Sequence, residues 1–483
     1  MMNELRHIKV DMKRIDLGFS SLQNGYKEHL FTPMDVVREV FRRIRERGND
    51  HVWTELVSEQ AAISEAERMF ADVRFGKAPP LFGIPFSVKD NLDVAGMRTT
   101  CGCDGFDRFP EITATSVSKA IAAGAILIGK NTLDQFATGL NGTRTMGGYC
   151  RNVFDERYIP GGSSSGSGVA VAAGLVSFSL GSDTGGSGRV PAAMNNIVGV
   201  KPTLGLVSST GLVYNNRFFD CVPVFARTVE DGYAVLETIR GFDETDDFSR
   251  SDADAFLLKV ELSDNFNFAI PDAKQLEFFG DSHAEAAFAM AIETMKMIGG
   301  RPVEIDFSLF IEAAHLPFDS GLLAERAVSY GDVVAARPET VHPAVAAMIR
   351  TGLAYSGTET VRAIYKMNSL RSKARKLFQE FDVLMTPTVG RAYTCIELEA
   401  DPIGLNNNIG YYTYSVSPLD LCALALPASI RDDGIPFGIS LLATAGRDGV
   451  LRTLGERFQR QVGLKPGVDQ KSWPVVGMDR QAR

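Results

Sequence analysis

Short apolar segments alternate with amphipathic segments along the N-terminal part of the chain. Three of the segments are apolar and short enough to be buried strands: residues 81–88, 125–128 and 176–180. Residues 33–47 instead repeat apolar side chains at helical spacing, with Thr32 in the N-cap position and Pro33 at the first helical position. Strands that alternate with helices form a sheet whose faces the helices cover. The pattern therefore predicts an α/β fold.

The same architecture continues towards the C-terminus. Further helices are predicted at residues 61–73, 118–123 and 167–174, a helical block at 283–375, and strands at 382–385 and 438–442. No stretch has the composition of a linker, and no internal repeat is visible. We therefore expect one large domain at residues 31–465, preceded by an N-terminal extension or helix at 1–30 and followed by a C-terminal tail at 466–483.

Composition narrows the class of partner. The net charge of -9 is spread along the chain, whereas a nucleic-acid-binding surface needs clustered Lys and Arg. The densest basic stretch, residues 38–47, interleaves Glu39 and Glu46 at helical spacing and is interpreted as a solvated helix face. We expect a small-molecule substrate and no nucleic-acid partner.

The cellular compartment is inferred from the segments that the sequence lacks. There is no run of 18 apolar residues, so no membrane span or membrane partner is expected. Residues 1–13 mix charges and lack the apolar centre of a signal peptide. The six cysteines do not make a disulfide scaffold, which fits a reducing cytoplasm. Cys101 and Cys103 are too closely spaced for the usual zinc site and no His lies near them, so no metal is expected.

Three short motifs suggest other chemistries, and each lacks a required part. Gly124–Asn131 is close to a phosphate-binding loop, but its lysine is followed by Asn and its middle residues are strand-forming. Gly162–Gly166 matches the G-x-S-x-G nucleophile elbow around Ser164, which requires a His base later in the chain, and none of the three histidines that follow lies in a segment typical of a catalytic loop. This elbow stays a minor alternative. Cys150 has no neighbour that would lower its pKa and is interpreted as a small apolar wall residue.

Lys89 ends an apolar segment, FGIPFSVK, and is followed by two polar residues. Burying an ammonium group is unfavourable by several kcal/mol unless the group is paired or deprotonated. Burial lowers a lysine pKa and can leave a neutral base at pH 7. The strand alone favours equally a catalytic base and a structural ion pair with Asp90 or Asp93.

The central region is rich in glycine and serine but is flanked by packed apolar segments, so it is not interpreted as a linker. The glycines before Ser187 can hold positive φ and aim successive backbone N–H groups at one point. An oxyanion hole requires such preorganised donors. A phosphate nest is the alternative, but no cluster of Lys and Arg accompanies it. A lysine amine can also act on a serine through a relay hydroxyl, which Ser163 offers, so a Ser–Ser–Lys arrangement is predicted.

Three motifs together resemble the amidase-signature family: Lys89 in GIPFSVKDN, Ser163 in GGSSSGSG and Ser187 in GSDTGGSGRVPAA. The 24-residue step between the two serines is also typical of that family. The resemblance implies a single large α/β/α domain around a mixed, twisted sheet sandwiched between helices, and a cis peptide bond between Gly162 and Ser163. It also implies an amidase, a hydrolase acting on carbon–nitrogen bonds other than peptide bonds, that needs no cofactor.

The resemblance further assigns the roles within the site. Ser187 would be the nucleophile, Ser163 the proton relay and Lys89 the base, neutral in the resting enzyme. The expected supporting groups are the oxyanion-hole N–H groups of Thr184, Gly185, Gly186 and Ser187, a hydrogen bond from Ser164 to Lys89, and a loop braced by Asp183 and Arg189.

Several stretches are most similar to the amidase domain of allophanate hydrolases, namely residues 131–144, 151–155, 189–203, 401–410, 419–429 and 435–443. Two positions depart from that pattern: Phe318 stands where a Tyr accompanies Arg326 to position a substrate carboxylate, and Leu204 replaces a common Arg. Gly139 and Met146 are further expected substrate-binding positions.

Because both departures remove polar groups, we expect a small neutral or apolar substrate, such as a carbamate ester (urethane) or an aryl or alkyl amide. Three alternatives remain open. They are an allophanate hydrolase, the glutaminase subunit of a tRNA amidotransferase complex, and a catalytically silent scaffold. The family resemblance also implies a homodimer.

Overall fold

One mixed sheet runs through the part of the chain that the structure, a computed structural model, describes: Met12 and residues 15–73, 78–106 and 108–468. Its strands are Trp53–Leu56 (β1), Pro85–Lys89 (β2), Ile126–Asn131 (β3), Phe178–Leu180 (β4), Val198–Lys201 (β5), Val224–Ala226 (β6), Phe266–Pro271 (β7), Gly300–Ile305 (β8), Val383–Pro387 (β9), Leu421–Ile430 (β10) and Pro436–Thr444 (β11). Their order is β1-β3-β2-β4-β6-β5-β10-β11-β9-β7-β8. β2 pairs in parallel with β3 and β4, while β10 pairs antiparallel with β5 and β11. The predicted α/β fold with a mixed sheet is confirmed.

Helices cover the sheet. They are Phe19–Lys27 (α1), Pro33–Arg47 (α2), Glu59–Val73 (α3), Thr115–Ala122 (α4), Ser165–Ala172 (α5), Val190–Met194 (α6), Val229–Ile239 (α7), Ser282–Met297 (α8), Ser308–His315 (α9), Ala324–Ala336 (α10), Pro343–Leu353 (α11), Gly357–Leu377 (α12), Cys395–Ala400 (α13), Gly404–Ile409 (α14) and Asp448–Val462 (α15). α4, α7, α15 and α8 pack in succession, and α5 packs with α6. None of the helices among the described residues is both long and apolar enough to cross a membrane.

Local sequence signals account for most element positions. α2 begins at the predicted residue because Thr32 and Asp35 form a capping box: each side chain bonds the other residue's backbone N–H. The predicted helical block at 283–375 also contains β8, which was not predicted. Of the predicted termini, residues 1–11, 13, 14 and 469–483 lie outside the described residues.

The sequence suggested that the basic stretch on α2 is a solvated helix face, but two of its arginines are buried. Arg43 is only 1% exposed, because its guanidinium donates to the carbonyls of Ile15 and Gly174 and pairs with Glu39 at 2.8 Å. Arg47 is also buried and pairs with Asp50. The buried arginines of α2 therefore bind this helix to neighbouring segments of the same chain.

The sheet brings the glycine- and serine-rich segments to one edge. Since β2, β3 and β4 are parallel, their carboxyl ends meet there, and Lys89 ends β2. The segment before α5 is held at the same edge, because Asp134 donates its N–H to the carbonyl of Ser163 and Gly166 donates to Thr132. The loop after β4 carries Ser187 into the same place.

Candidate active site

Lys89, Ser163 and Ser187 form a continuous polar chain at this edge. The Nζ of Lys89 lies 2.7 Å from the Oγ of Ser163, which lies 2.8 Å from the Oγ of Ser187. Lys89 and Ser163 are fully buried and Ser187 is 2% exposed. The Gly162–Ser163 peptide bond is cis. The structure thus brings together, in contact order, the three residues that the sequence singled out.

A second serine contacts the lysine, and it is not the expected one. Ser182 Oγ lies 2.8 Å from Lys89 Nζ and accepts a bond from the side-chain amide of Asn91 at 3.0 Å. Ser164 was predicted to bond Lys89, and this prediction is wrong. Its hydroxyl donates to the carbonyl of Ser182 at 3.1 Å, because Ser164 starts α5 and turns towards the backbone after β4.

The lysine is the electrostatic centre of the site. Its burial lowers the pKa of Lys89 to about 7, although the charges of Asp134, Asp220 and Asp183 act in the opposite direction. Its hydrogen-bond partners are hydroxyls rather than carboxylates. A neutral amine is therefore accessible near neutral pH.

An ion pair braces the loop that carries Ser187. Asp183 accepts from the guanidinium of Arg189 at 2.9 and 3.0 Å and from the N–H groups of Gly186 and Gly188 at 2.7 and 3.0 Å. Burial alone would raise the pKa of Asp183, but the charge and hydrogen bonds of Arg189 hold it below its usual value. Asp183 and Arg189 are thus placed as the sequence suggested.

The same contacts change the expected oxyanion hole. The N–H of Gly186 was expected to face the reacting carbonyl, but it is committed to Asp183, which the positive φ of 141° at Gly186 allows. The N–H groups of Thr184, Gly185 and Ser187 have no acceptor among the described residues. The donors open to a substrate oxygen are therefore these three.

A small cavity lies beside Ser187. It encloses about 20 Å³ and is lined by Ala137, Thr138, Gly139, Leu140, Arg144, Thr184, Gly185, Ser187, Asn215, Pro317, Phe318, Arg326, Met348, Asn406 and Tyr414. That volume holds roughly one water molecule. The lining includes Gly139, Phe318 and Arg326 of the expected substrate-binding residues.

Two expected contributors lie elsewhere. Met146 is 50% exposed, because the hydroxyl of Thr145 donates to the carbonyl of Gly148 and closes a turn that carries Met146 to the surface. Leu204 lines a separate cavity with Arg250, so its lack of charge does not change the polarity beside Ser187.

Sequence reasoning missed most of the polar lining. Arg144 donates to the carbonyls of Thr138 and Pro402, and Asn406 bonds the hydroxyl of Tyr414 at 2.9 Å. Met348 lines the cavity from α11. These side chains come from distant segments, and Arg144 and Asn406 carried a signal only as members of the family-like stretches 131–144 and 401–410.

The competing motifs have structural explanations. The phosphate-loop look-alike is strand β3, and its Lys130 forms a buried ion pair with Asp90 at 2.7 Å. Burial raises the pKa of the Cys150 thiol to about 12, the opposite of an activated nucleophile. Ser164, the elbow serine, bonds backbone as described above.

A mixed sheet flanked by helices, with a buried lysine and two serines in contact at one edge, defines an α/β protein with a candidate catalytic site. The chain belongs to the amidase family, whose model matches residues 35–451.

Known relatives fall into two groups. The urea amidolyase of Lachancea kluyveri is 36% identical over 412 residues, a match that covers 85% of this chain and 22% of that protein. One component of the glutamyl-tRNA(Gln) amidotransferase of Exiguobacterium sp. is 32% identical over 489 residues, covering 94% of this chain and 98% of that component. Among solved structures, the allophanate hydrolase of Kluyveromyces lactis superimposes with a TM-score of 0.84 at 31% identity, covering 91% of this chain and 72% of that chain. The chain thus spans about a fifth of the length of the urea amidolyase.

Proposed function

We propose that the chain hydrolyses a carbon–nitrogen bond of a small amide or carbamate through a covalent acyl-enzyme on Ser187. The observation that carries the proposal is the unbroken chain from Lys89 Nζ through Ser163 Oγ to Ser187 Oγ, with spacings of 2.7 and 2.8 Å. Both hydroxyls can rotate, so a neutral lysine accepts the proton of Ser163 while Ser163 accepts that of Ser187.

The reaction has two steps. Ser187 Oγ attacks the carbonyl carbon as its proton passes to Ser163 and that of Ser163 to Lys89, forming a tetrahedral oxyanion. The C–N bond then breaks and the nitrogen leaves with a proton returned by Ser163, while Lys89 reprotonates Ser163. In the second step a water loses its proton along the same route, attacks the ester carbon and releases the acid and Ser187.

The backbone after β4 stabilises the developing negative charge. The N–H groups of Thr184, Gly185 and Ser187 are the donors left open beside the nucleophile. Their positions are fixed in advance because Asp183 and Arg189 hold the loop between them. Preorganised donors of this kind are worth about 3–4 kcal/mol each in the transition state.

We propose a neutral or apolar substrate as the favoured class. The ring of Phe318 lies 5.0 Å from the Arg326 guanidinium and 4.2 Å from the ring of Tyr414. Arg326 is already bonded to the side chain of Asn215 and the carbonyl of Pro317. An aromatic ring stacked on the guanidinium presents an apolar face next to Ser187. A urethane or an aryl or alkyl amide fits this environment, after side chains at the cavity mouth move aside.

One observation favours an anionic substrate such as allophanate as the second candidate. Arg144 and Arg326 both line the cavity, and neither has a carboxylate within salt-bridge distance among the described residues. Two buried guanidinium groups that no carboxylate of the described residues contacts directly would attract a substrate carboxylate.

The proton route is tested by substitution. We expect Lys89→Met, Ser163→Ala and Ser187→Ala each to lower kcat at least about 1,000-fold, because each removes a link of one relay. Ser167→Ala is the matched control: it lies in the same serine run and is buried, but no described residue hydrogen-bonds its hydroxyl. Steady-state hydrolysis of an aryl amide measures the effect, and activity surviving in Lys89→Met would refute the route.

The substrate class is tested by comparing three compounds at equal enzyme concentration: ethyl N-phenylcarbamate, 4-nitroacetanilide and allophanate. We expect the two neutral compounds to have the higher kcat/KM. A much higher kcat/KM for allophanate would establish the second candidate instead. Glutamine as a fourth compound, with ammonia release as the readout, tests the alternative of a glutaminase that serves a tRNA amidotransferase.

The pH dependence follows from the lysine. Since burial lowers the pKa of Lys89 to about 7 and the neutral amine is the active form, kcat/KM for a neutral amide should rise with pH through about 7. A profile that falls across this range would exclude Lys89 as the base.

A further inference from the structure

Asp220 lies behind the active-site loop and contacts two segments of the site at once. It precedes β6 and is 7% exposed. Its Oδ1 accepts a hydrogen bond from the hydroxyl of Thr184. Its Oδ2 accepts from the backbone N–H groups of Asn215 at 2.7 Å and Asn216 at 3.2 Å.

Each partner is part of the cavity beside Ser187. Thr184 belongs to the loop that offers the oxyanion donors. Asn215 bonds the hydroxyl of Thr138 at 2.7 Å and accepts from Arg326 at 3.1 Å, and all three of these side chains line the cavity. One carboxylate therefore connects the oxyanion loop to the substrate-binding wall.

We propose that Asp220 is a positioning residue that must be a carboxylate for full activity, because it holds the oxyanion loop and the substrate-binding wall in register. The proposal rests on the proposed roles of Ser187 and Lys89.

The hydrogen-bond donors around Asp220 explain why its charge matters. All three neighbours bond it as donors, and a carboxylate only accepts. A proton on Oδ2 would face two backbone N–H groups, and a proton on Oδ1 would reverse the bond to Thr184. Either change breaks or reorients a link between the two segments. Charge-assisted bonds of this kind are also stronger than neutral ones.

The surroundings place this titration within the working pH range. Burial raises the pKa of Asp220 to about 6, against the hydrogen bonds from Thr184 and the loop and the charge of Lys89. The other ionisable groups that face it are Glu325, Arg326, Tyr330, Tyr214 and Cys221. The outer cavity that Asp220 also lines adds Arg217, Arg250, Arg371 and Asp420.

The test is the acid slope of log(kcat/KM) against pH just below pH 6, measured with 4-nitroacetanilide. In the wild-type enzyme this slope should exceed one, because protonation of Asp220 lowers the activity further while Lys89 is already being protonated. We expect Asp220→Asn to reduce the slope to one, since the amide does not titrate, and to lower kcat by roughly 10- to 100-fold. The kcat falls because an amide mimics the protonated acid.

Asp231 provides a matched control. It is 5% exposed and burial raises its pKa to about 6 as well, but it lies in the first turn of α7, where its N–H donates to the hydroxyl of the N-cap residue Thr228, and it does not line the cavity. Asp231→Asn should keep the wild-type slope and kcat. A slope that changes equally in both variants would mean that the acid limb reports folding, and would overturn the proposal.

A second variant covers the case in which Asp220→Asn does not fold. Thr184→Val removes one donor to the carboxylate, so the pKa of Asp220 should rise and the acid limb should move to higher pH. Thr184→Ser keeps the hydroxyl and should restore the wild-type position of the limb. An unchanged slope in folded Asp220→Asn, or an unmoved limb in Thr184→Val, would overturn the proposal. Loss of the Lys89 route shows separately, as activity surviving in Lys89→Met.

Discussion

A buried lysine opposes folding at the same time as it serves the reaction. Its pKa is lowered from about 10.4 in an exposed lysine to about 7 by burial, so the unfolded chain binds a proton that the folded chain does not between those pH values. The free energy of unfolding therefore rises with pH across this window. We expect Lys89→Met to be inactive yet more stable than wild type by about 2 kcal/mol at pH 7.

Chemical denaturation at several pH values measures the difference in the free energy of unfolding between Lys89→Met and the wild type. Because the methionine does not titrate, the stability advantage of Lys89→Met should shrink as the pH is raised from 7 to 10. A constant difference would mean that the lysine has the same charge in the folded and the unfolded state over this range. A less stable variant at pH 7 would show that the bonds to Ser163 and Ser182 outweigh the burial of the amine.

The side chain at position 318 covers the Arg326 guanidinium and so influences how strongly that charge interacts with a substrate. A tyrosine there adds a hydroxyl donor beside the guanidinium that now lies 5.0 Å from the ring. We expect Phe318→Tyr to raise kcat/KM for allophanate relative to 4-nitroacetanilide roughly tenfold, the worth of one hydrogen bond to a charged group. Phe248→Tyr, on a 39% exposed ring outside this cavity, should leave the ratio unchanged. An unchanged ratio in Phe318→Tyr would mean that the new hydroxyl does not reach the substrate.

Among the elements, β5 packs directly against the loop that carries the nucleophile Ser187. Gly199 lies in β5 where a Cβ would overlap the carbonyl oxygen of Gly188 and stand 2.8 Å from the Cβ of Ala192. Gly188 directly follows Ser187, so the strand and the loop approach as closely as their backbones permit. Gly199→Ala should reduce stability by about 1–3 kcal/mol and kcat by about 100-fold, because the loop is displaced.

Gly331→Ala is the matched control for this substitution. Gly331 lies within α10, and a Cβ there comes no closer than 3.8 Å to another atom. Alanine should therefore stabilise the protein by up to about 1 kcal/mol through helix propensity, without changing kcat. Thermal unfolding and kcat measured together separate the two substitutions. Retained activity in Gly199→Ala would show that the loop position tolerates the extra volume.

Elements with a local signal were predictable, and contacts between distant elements were not. The capping box at Thr32 fixed the start of α2 within the sequence itself. β8 lies between α8 and α9. Its few apolar residues do not distinguish a strand from the helices on both sides. In the site, Lys89, Ser163 and Ser187 stood out by their motifs. Ser182 did not, because its bond to Lys89 depends on the register of β2 with β4, which sequence does not state.

At the scale of the whole molecule, one strand pair joins the two halves of the chain. β1 to β6 come from the N-terminal half and β7 to β11 from the C-terminal half, and β5 and β10 pair antiparallel at residues 199–201 and 423–425. Asp448 at the start of α15 accepts from the N–H and hydroxyl of Thr203 at 2.9 and 2.6 Å. A sheet shared by both halves supports the single domain at 31–465, which stays a prediction.

Separating the halves tests whether the sheet is one folding unit. Fragments 1–263 and 264–483 divide the chain at an exposed segment and would leave the buried edges of β5 and β10 without partners. Unpaired buried strand edges aggregate, so we expect neither fragment to be soluble and cooperatively folded alone. Co-expressed, they should assemble and recover amide hydrolysis, since Lys89 and Ser187 lie in one fragment and Phe318 and Tyr414 in the other. Gel filtration and circular dichroism measure this, and a fragment that unfolds cooperatively as a monomer would place a domain boundary between β5 and β10.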